Sequence, residues 1–210
     1  MRVLFVHGRS QGGKSEAALL SEWRRALDSG MMLAGAELAD GLDFDMPFYG
    51  DALDDFVERA ALPSPSEIVQ MGGGEDPGFA QFAQSALLEI SMAGGIADTE
   101  IQQEMPDGPQ EMGPQNWAWV QAIVKVIDRK WPALSGGTIE RFLKDVYLYL
   151  DKPVVRKTID GIVRDKLTKD RTLVVGHSLG SVVAYNVLRR NEIDVGGFLT
   201  VGSPLGIKAI

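Results

Sequence analysis

The chain has 210 residues, enough for one substantial hydrophobic core, and its 21 basic against 29 acidic residues leave a net charge of −8, which disfavours nucleic acid or an anionic membrane as partner. No run of about 18 consecutive apolar residues occurs, so no integral membrane association is expected and a cytoplasmic chain is the starting expectation. Without cysteine the chain forms no disulfide, offers no thiolate nucleophile and builds no cysteine zinc site, and its two histidines are His7 and His177.

In chain order, Arg2 to Val6 is a short apolar strand running into His7-Gly-Arg-Ser-Gln-Gly-Gly-Lys-Ser15. A helix follows, with Ala18, Leu19, Trp23 and Leu27 on one side and Glu16, Glu22, Arg24 and Arg25 largely on the other. The loop between them has two readings. Gly8-x4-Gly13-Lys14-Ser15 matches the phosphate-cradling P-loop, a pattern this composition yields by chance only about 0.01 times. Alternatively, His7-Gly8 opens an oxyanion loop that continues through Ser10, its backbone N–H at Arg9 facing a nucleophile across the sheet. A P-loop enzyme also needs an acid at the end of a buried strand to hold Mg²⁺. The apolar run that ends in Asp, Val146 to Asp151, has helical spacing from Ile139 onward.

Strands are expected near Met31 to Leu38 and Phe44 to Tyr49, then a helix capped by Asp51 and running through Ala60 on Leu53, Phe56 and Val57. Pro63 to Ser66 and Gly72 to Gly78 mark breaks. Phe79 to Met92 reads as a helix, Gly94 to Gln115 as a long loop, and Asn116 as the cap of a helix carrying Trp117, Val120, Val124, Ile127 and Trp131. Helices over Ile139 to Leu150 and from Pro153 through Leu167 precede the next strand. The expected organisation is a single domain, 1–210, with a helical insertion over roughly 51–150.

Thr172-Leu-Val-Val-Gly-His-Ser-Leu-Gly-Ser-Val-Val-Ala-Tyr-Asn-Val-Leu188 reads as a buried strand, a sharp turn and a helix. A G-x-S-x-G between strand and helix is a nucleophile elbow. Gly176 and Gly180 spare the turn two Cβ atoms, His177 flanks the serine, and Ser178 Oγ is held out at the end of the sheet. The first amides of the helix point toward that oxygen, and the Leu179 N–H is the natural oxyanion donor. By count alone the pattern arises about 0.16 times by chance, so its weight comes from the strand before it and the helix after it. Gly197 to Gly202 is a final apolar strand. Strands alternating with helices predict an α/β fold with a mostly parallel sheet, helices on both faces, and ligands at the carboxyl ends of the strands. His7-Gly8-Arg9 and Ser178 both fall at such ends.

Leu173 to Ala184, together with Phe5-Val-His-Gly8 and Gly202-Ser-Pro-Leu205, resembles the α/β-hydrolases of the bacterial serine esterase and lipase type. The resemblance implies a catalytic serine at Ser178, oxyanion N–H groups at Leu179 and Arg9, a central elbow strand, and no metal or organic cofactor. The resemblance does not extend to the 51–150 insertion, which from chain order alone is expected to be a lid or cap over the site of a small-molecule ester or lipid substrate. The family also requires an acid and a histidine after the elbow, in that order, and no histidine follows Ser178. The chain therefore reads as the N-terminal portion of a longer hydrolase, with a triad-deficient relative as the alternative. Two further functions stay open: a nucleoside triphosphatase using Gly8 to Ser15, with Lys14 on the phosphates, and a non-catalytic hydrolase-fold module that binds an acyl ligand or a protein partner.

Overall fold

The computed structural model describes residues 1–60, 77–105, 117–131, 136–168, 170–191, 193 and 195–210. The elements are β1 (Arg2–Val6), α1 (Glu16–Leu33), β2 (Asp43–Asp45), α2 (Gly50–Ala60), α3 (Pro77–Ala93), α4 (Asp98–Gln103), α5 (Trp117–Lys130), α6 (Gly136–Asp151), α7 (Pro153–Lys166), β3 (Thr172–His177), α8 (Leu179–Asn191) and β4 (Gly197–Val201). The chain divides into two compact units, Met1–Glu58 with Lys152–Leu205, and Arg59–Asp151 with Gly206–Ile210.

The first unit is an α/β layer built on a four-stranded, all-parallel sheet in the order β2-β1-β3-β4. Four successive residues of β1, Val3 to Val6, are buried, as a parallel strand covered on both faces requires. Val3, Phe5 and Val175 turn to one face and pack with Leu19, Trp23 and Leu27 of α1. Leu4, Val6 and Val174 alternate with them and are buried on the other face, where α8 packs on β3 and β1 and α7 packs on α8. The chain leaves β1 toward β2 on one side, whereas β3 lies on the other side of β1. The strand order therefore reverses between β1 and β3, and the loops after these two strands flank that switch point. Beyond α1 the same sheet face opens into an apolar groove of about 880 Å³, where Leu199 and Val201 of β4 are about half exposed.

An ionic cluster ties the edge of the sheet to its helices. Lys166 of α7 bonds Glu16 of α1 at 2.9 Å and Asp45 of β2 at 3.0 Å, and Arg2 of β1 also pairs with Asp45. Burial opposes the charge on Asp45, yet the Lys166 hydrogen bond and the neighbouring cations hold its carboxyl below the usual range.

The second unit is helical. Ala83 and Leu87 of α3, Ile123 and Ile127 of α5, and Leu143 of α6 form its core, with Ile101 of α4 against them. Ile207 and Ala209 pack on this core, and the Lys208 N–H donates to the Glu89 carboxylate. Among the described residues no helix is long and apolar enough to cross a membrane.

Several local expectations are corrected. The strand over Met31 to Leu38 is absent, because α1 continues to Leu33 and ends at Gly35 with φ +64. Ala36 N–H bonds Met31 O at 3.0 Å and Gly35 N–H bonds Met32 O at 3.1 Å, the Schellman closure that a left-handed glycine allows. The second strand is shorter than Phe44 to Tyr49, ending at Asp45 ahead of Pro47, which has no N–H for the ladder. Asp51 is not the cap of α2, which starts at Gly50; its carboxylate instead takes the Gly13 N–H at 2.7 Å. Asp98 to Gln103, expected inside a loop, is a helix whose Glu100 carboxylate accepts the Ala97 N–H. Ala18 is exposed rather than turned to the sheet with Leu19. The breaks at Pro63 to Ser66 and Gly72 to Asp76, the stretch from 106 to 115 and the Asn116 cap lie outside the described residues.

Candidate active site

Ser178 sits directly after β3 with φ +52, and Ser10 in the loop after β1 has φ +57. These are the described non-glycine residues in the left-handed region, where a side chain is strained. The Ser178 N–H donates to Val201 O at 3.0 Å, and its carbonyl accepts the Ser181 N–H at 3.0 Å and the Ser181 hydroxyl at 2.6 Å. Ser181 and Ser203 hydroxyls lie 2.7 Å apart, and Ser203 Oγ also accepts the Leu205 N–H at 3.2 Å.

The glycines around the serine allow backbone to pack on backbone. A Cβ on Gly176 would fall 2.6 Å from Ser181 Cα, and one on Gly180 would fall 2.1 Å from Val6 O. A Cβ on Gly8 would lie 3.0 Å from Ser178 Cβ and 3.2 Å from His177 Nδ1. The loop after β1 thus abuts the serine, as the switch point demands. Leu179 opens α8, so its N–H belongs to the first turn and has no acceptor within the helix. Arg9, the other expected oxyanion donor, is half-buried and lies near enough to Asp54 to favour that group's charge.

His7 is fully buried and locked as a neutral ring. Its Nδ1–H donates to Gly8 O at 2.7 Å, and its Nε2 accepts the Tyr49 N–H at 3.1 Å. Tyr49 stacks on the ring with centroids 4.1 Å apart, and its hydroxyl donates to the His7 carbonyl. Burial pulls the His7 pKa down to about 4, against the milder upward effect of the Gly8 carbonyl. His177 is exposed on the α1 side, edge-on to Trp23 at 5.7 Å, and partial desolvation lowers its pKa. Among the described residues neither histidine nor any carboxylate hydrogen-bonds Ser178 Oγ.

The glycine-rich loop is occupied from within the chain. Gly13 N–H donates to Asp51 Oδ1, and Gly12 N–H donates to Asp54, whose carboxylate lies where a Cβ on Gly12 would be. Burial, and then the charge of Asp51, raise the Asp54 pKa. Lys14 pairs with Glu22 at 3.3 Å, and Ser15 caps α1 by accepting the Ala18 N–H. Among the described residues no cluster of acids and histidines gathers that could hold a metal ion.

Sequence reasoning missed Tyr49, the carboxylates of Asp51 and Asp54 in the loop, and the paired hydroxyls of Ser181 and Ser203. Only the Gly202-Ser203-Pro204 motif offered a signal for any of them. Compared with protein-family models, with curated proteins and with solved structures, the chain matches none.

Proposed function

We propose that the protein is a serine hydrolase of the α/β-hydrolase type, cleaving the ester-like bond of a small carboxylic ester or lipid through an acyl-enzyme. The observation that carries this reading is Ser178 at φ +52, at the carboxyl end of an internal parallel strand, at the N-terminus of α8 and against Gly8. A strained serine persists where its neighbours over-determine it, and such positions concentrate at reactive sites. In this reading Ser178 Oγ attacks the acyl carbonyl carbon, and the Leu179 and Arg9 amides bind the resulting oxyanion. The alkoxide leaves with a proton, and water then attacks the acyl-enzyme to release the acid and restore the hydroxyl.

The Ser178 proton needs an acceptor, and none of the described residues supplies one in hydrogen-bond contact. That observation favours, as the second reading, a non-catalytic hydrolase-fold module that binds an acyl ligand. The nucleotide reading is weaker, because Asp51 and Asp54 occupy the amides that would cradle phosphate and their charge would repel it. A fluorophosphonate probe separates these readings. Labelling that disappears in Ser178→Ala supports the hydrolase; absence of labelling with retained binding of a fatty acyl ligand supports the module. Mg-ATP binding abolished by Lys14→Ala would overturn both.

A further inference from the structure

Ser181 is fully buried in the first turn of α8, and Ser203 lies in the turn after β4, beside the buried Pro204. The contact these hydroxyls make with Ser178 is to its backbone carbonyl. The direction of every proton between them follows from elementary chemistry. A carbonyl only accepts, so the single Ser181 proton goes to Ser178 O at 2.6 Å. Ser181 then has only lone pairs left for Ser203, so Ser203 must be the donor across the 2.7 Å contact. Ser203 Oγ in turn accepts the Leu205 N–H. The result is a one-way chain from Leu205 N–H through Ser203 and Ser181 to the Ser178 carbonyl, each bond polarising the next.

The other backbone group of Ser178, its N–H, donates to Val201 O. The Ser178 N–H is therefore held directly from the segment 201–205, and its carbonyl, which also accepts the Ser181 N–H, is held from that segment through two hydroxyls. We propose that Ser203, acting through Ser181, is a positioning residue that clamps Ser178 in its left-handed conformation and so aims its side chain. The clamp itself stands on geometry; its effect on reactivity rests on the reading of Ser178 as nucleophile.

Amide hydrogen exchange of the whole chain, read residue by residue by NMR, tests the clamp without requiring catalysis. In Ser203→Ala and in Ser181→Ala the Ser178 amide exchanges about tenfold faster, while Leu4 and Val174 in the strands keep their protection. Ser203→Thr, which keeps the hydroxyl, restores slow exchange. An unchanged Ser178 amide in both alanine variants overturns the proposal, as does an acceleration spread evenly over β1 and β3. With a fluorophosphonate probe, the saturating rate of Ser178 labelling falls several-fold in Ser203→Ala at an unchanged half-saturating concentration, and Ser203→Thr recovers it. Equal rates in wild type and Ser203→Ala overturn the positioning role. A wild-type chain that does not label at all removes the hydrolase reading instead, and the exchange experiment still decides the clamp.

Discussion

Gly180 and Val6 approach so closely that no side chain fits between them: a Cβ at position 180 would fall 2.1 Å from the Val6 carbonyl oxygen and 2.3 Å from that of His7. The first turn of the elbow helix rests directly on the end of β1. Both atoms in the clash belong to backbone, so neither can swing aside.

Gly180→Ala is therefore expected to destabilise the first unit by about 3 kcal/mol or to prevent its folding. Gly206→Ala, where a Cβ would meet open space, is expected to change stability by less than about 0.5 kcal/mol. Urea unfolding of the two variants against wild type checks the contrast.

Ser178→Gly removes the Cβ strain of the left-handed backbone, offset in part by the greater freedom of glycine in the unfolded chain. The expected result is equal stability or a gain of up to about 1 kcal/mol, with all probe labelling lost. Ser178→Val, β-branched at the same φ, is expected to lose about 2 kcal/mol or more. A thermal melt with equal losses in both variants would show that the backbone there is unstrained.

His7 gives the protein a pH limit on the acid side. Its pKa falls from the ordinary 6.5 to about 4 in the folded state, so between those values the unfolded chain binds a proton that the folded one refuses. Stability from this group is full above about pH 7 and lost as pH falls, by about 2 kcal/mol at pH 5 and about 3 kcal/mol at pH 4. Urea midpoints across pH 8 to 4 measure this slope. In His7→Gln, which can still accept the Tyr49 N–H but does not titrate, the slope over pH 7 to 5 should be shallower.

Asp51→Asn is expected to lower the pKa of Asp54, since the Asp51 charge is among the causes that raise it. A carboxyl-detected NMR titration reads this directly, and an unmoved Asp54 would mean that the Asp51 charge has no part in raising it.

The uncovered part of the sheet face predicts a different tolerance. Leu199→Thr, at a side chain 52% exposed, should alter stability by less than about 0.5 kcal/mol. Val175→Thr, buried on the neighbouring strand, should cost about 1–2 kcal/mol by taking a hydroxyl out of water. Paired denaturation curves distinguish them.

What could be read in advance was what local pattern controls. β1, β3 and α8 were legible because a two-sided buried strand is a run of apolar residues, and because glycines two residues either side of a serine have one geometric purpose. Met31 to Leu38 misled because Met31, Met32 and Leu33 look like strand residues, whereas the helix simply runs on with Met32 and Leu33 exposed until Gly35 turns it. His7 drew attention as a histidine at a strand end, but its neutral role depends on Tyr49, a partner 42 residues away that no motif marks. Asp51 reads from sequence as a helix cap and Asp54 belongs to no motif, and only the fold brings them to the amides of Gly13 and Gly12.

The pairing of Arg2 with Thr172 sets an order of events in the life of the chain. At about 5–20 residues per second, a ribosome that has made β1 needs on the order of ten seconds more to reach β3. Until then Val3 to Val6 lack their main partner strand, and the loop that will abut Ser178 has nothing to rest on. Everything between β1 and β3 must be made before the loops after these two strands can meet, so until β3 and α8 emerge the β3-facing edge of β1 and the face bearing Leu4 and Val6 lack their cover.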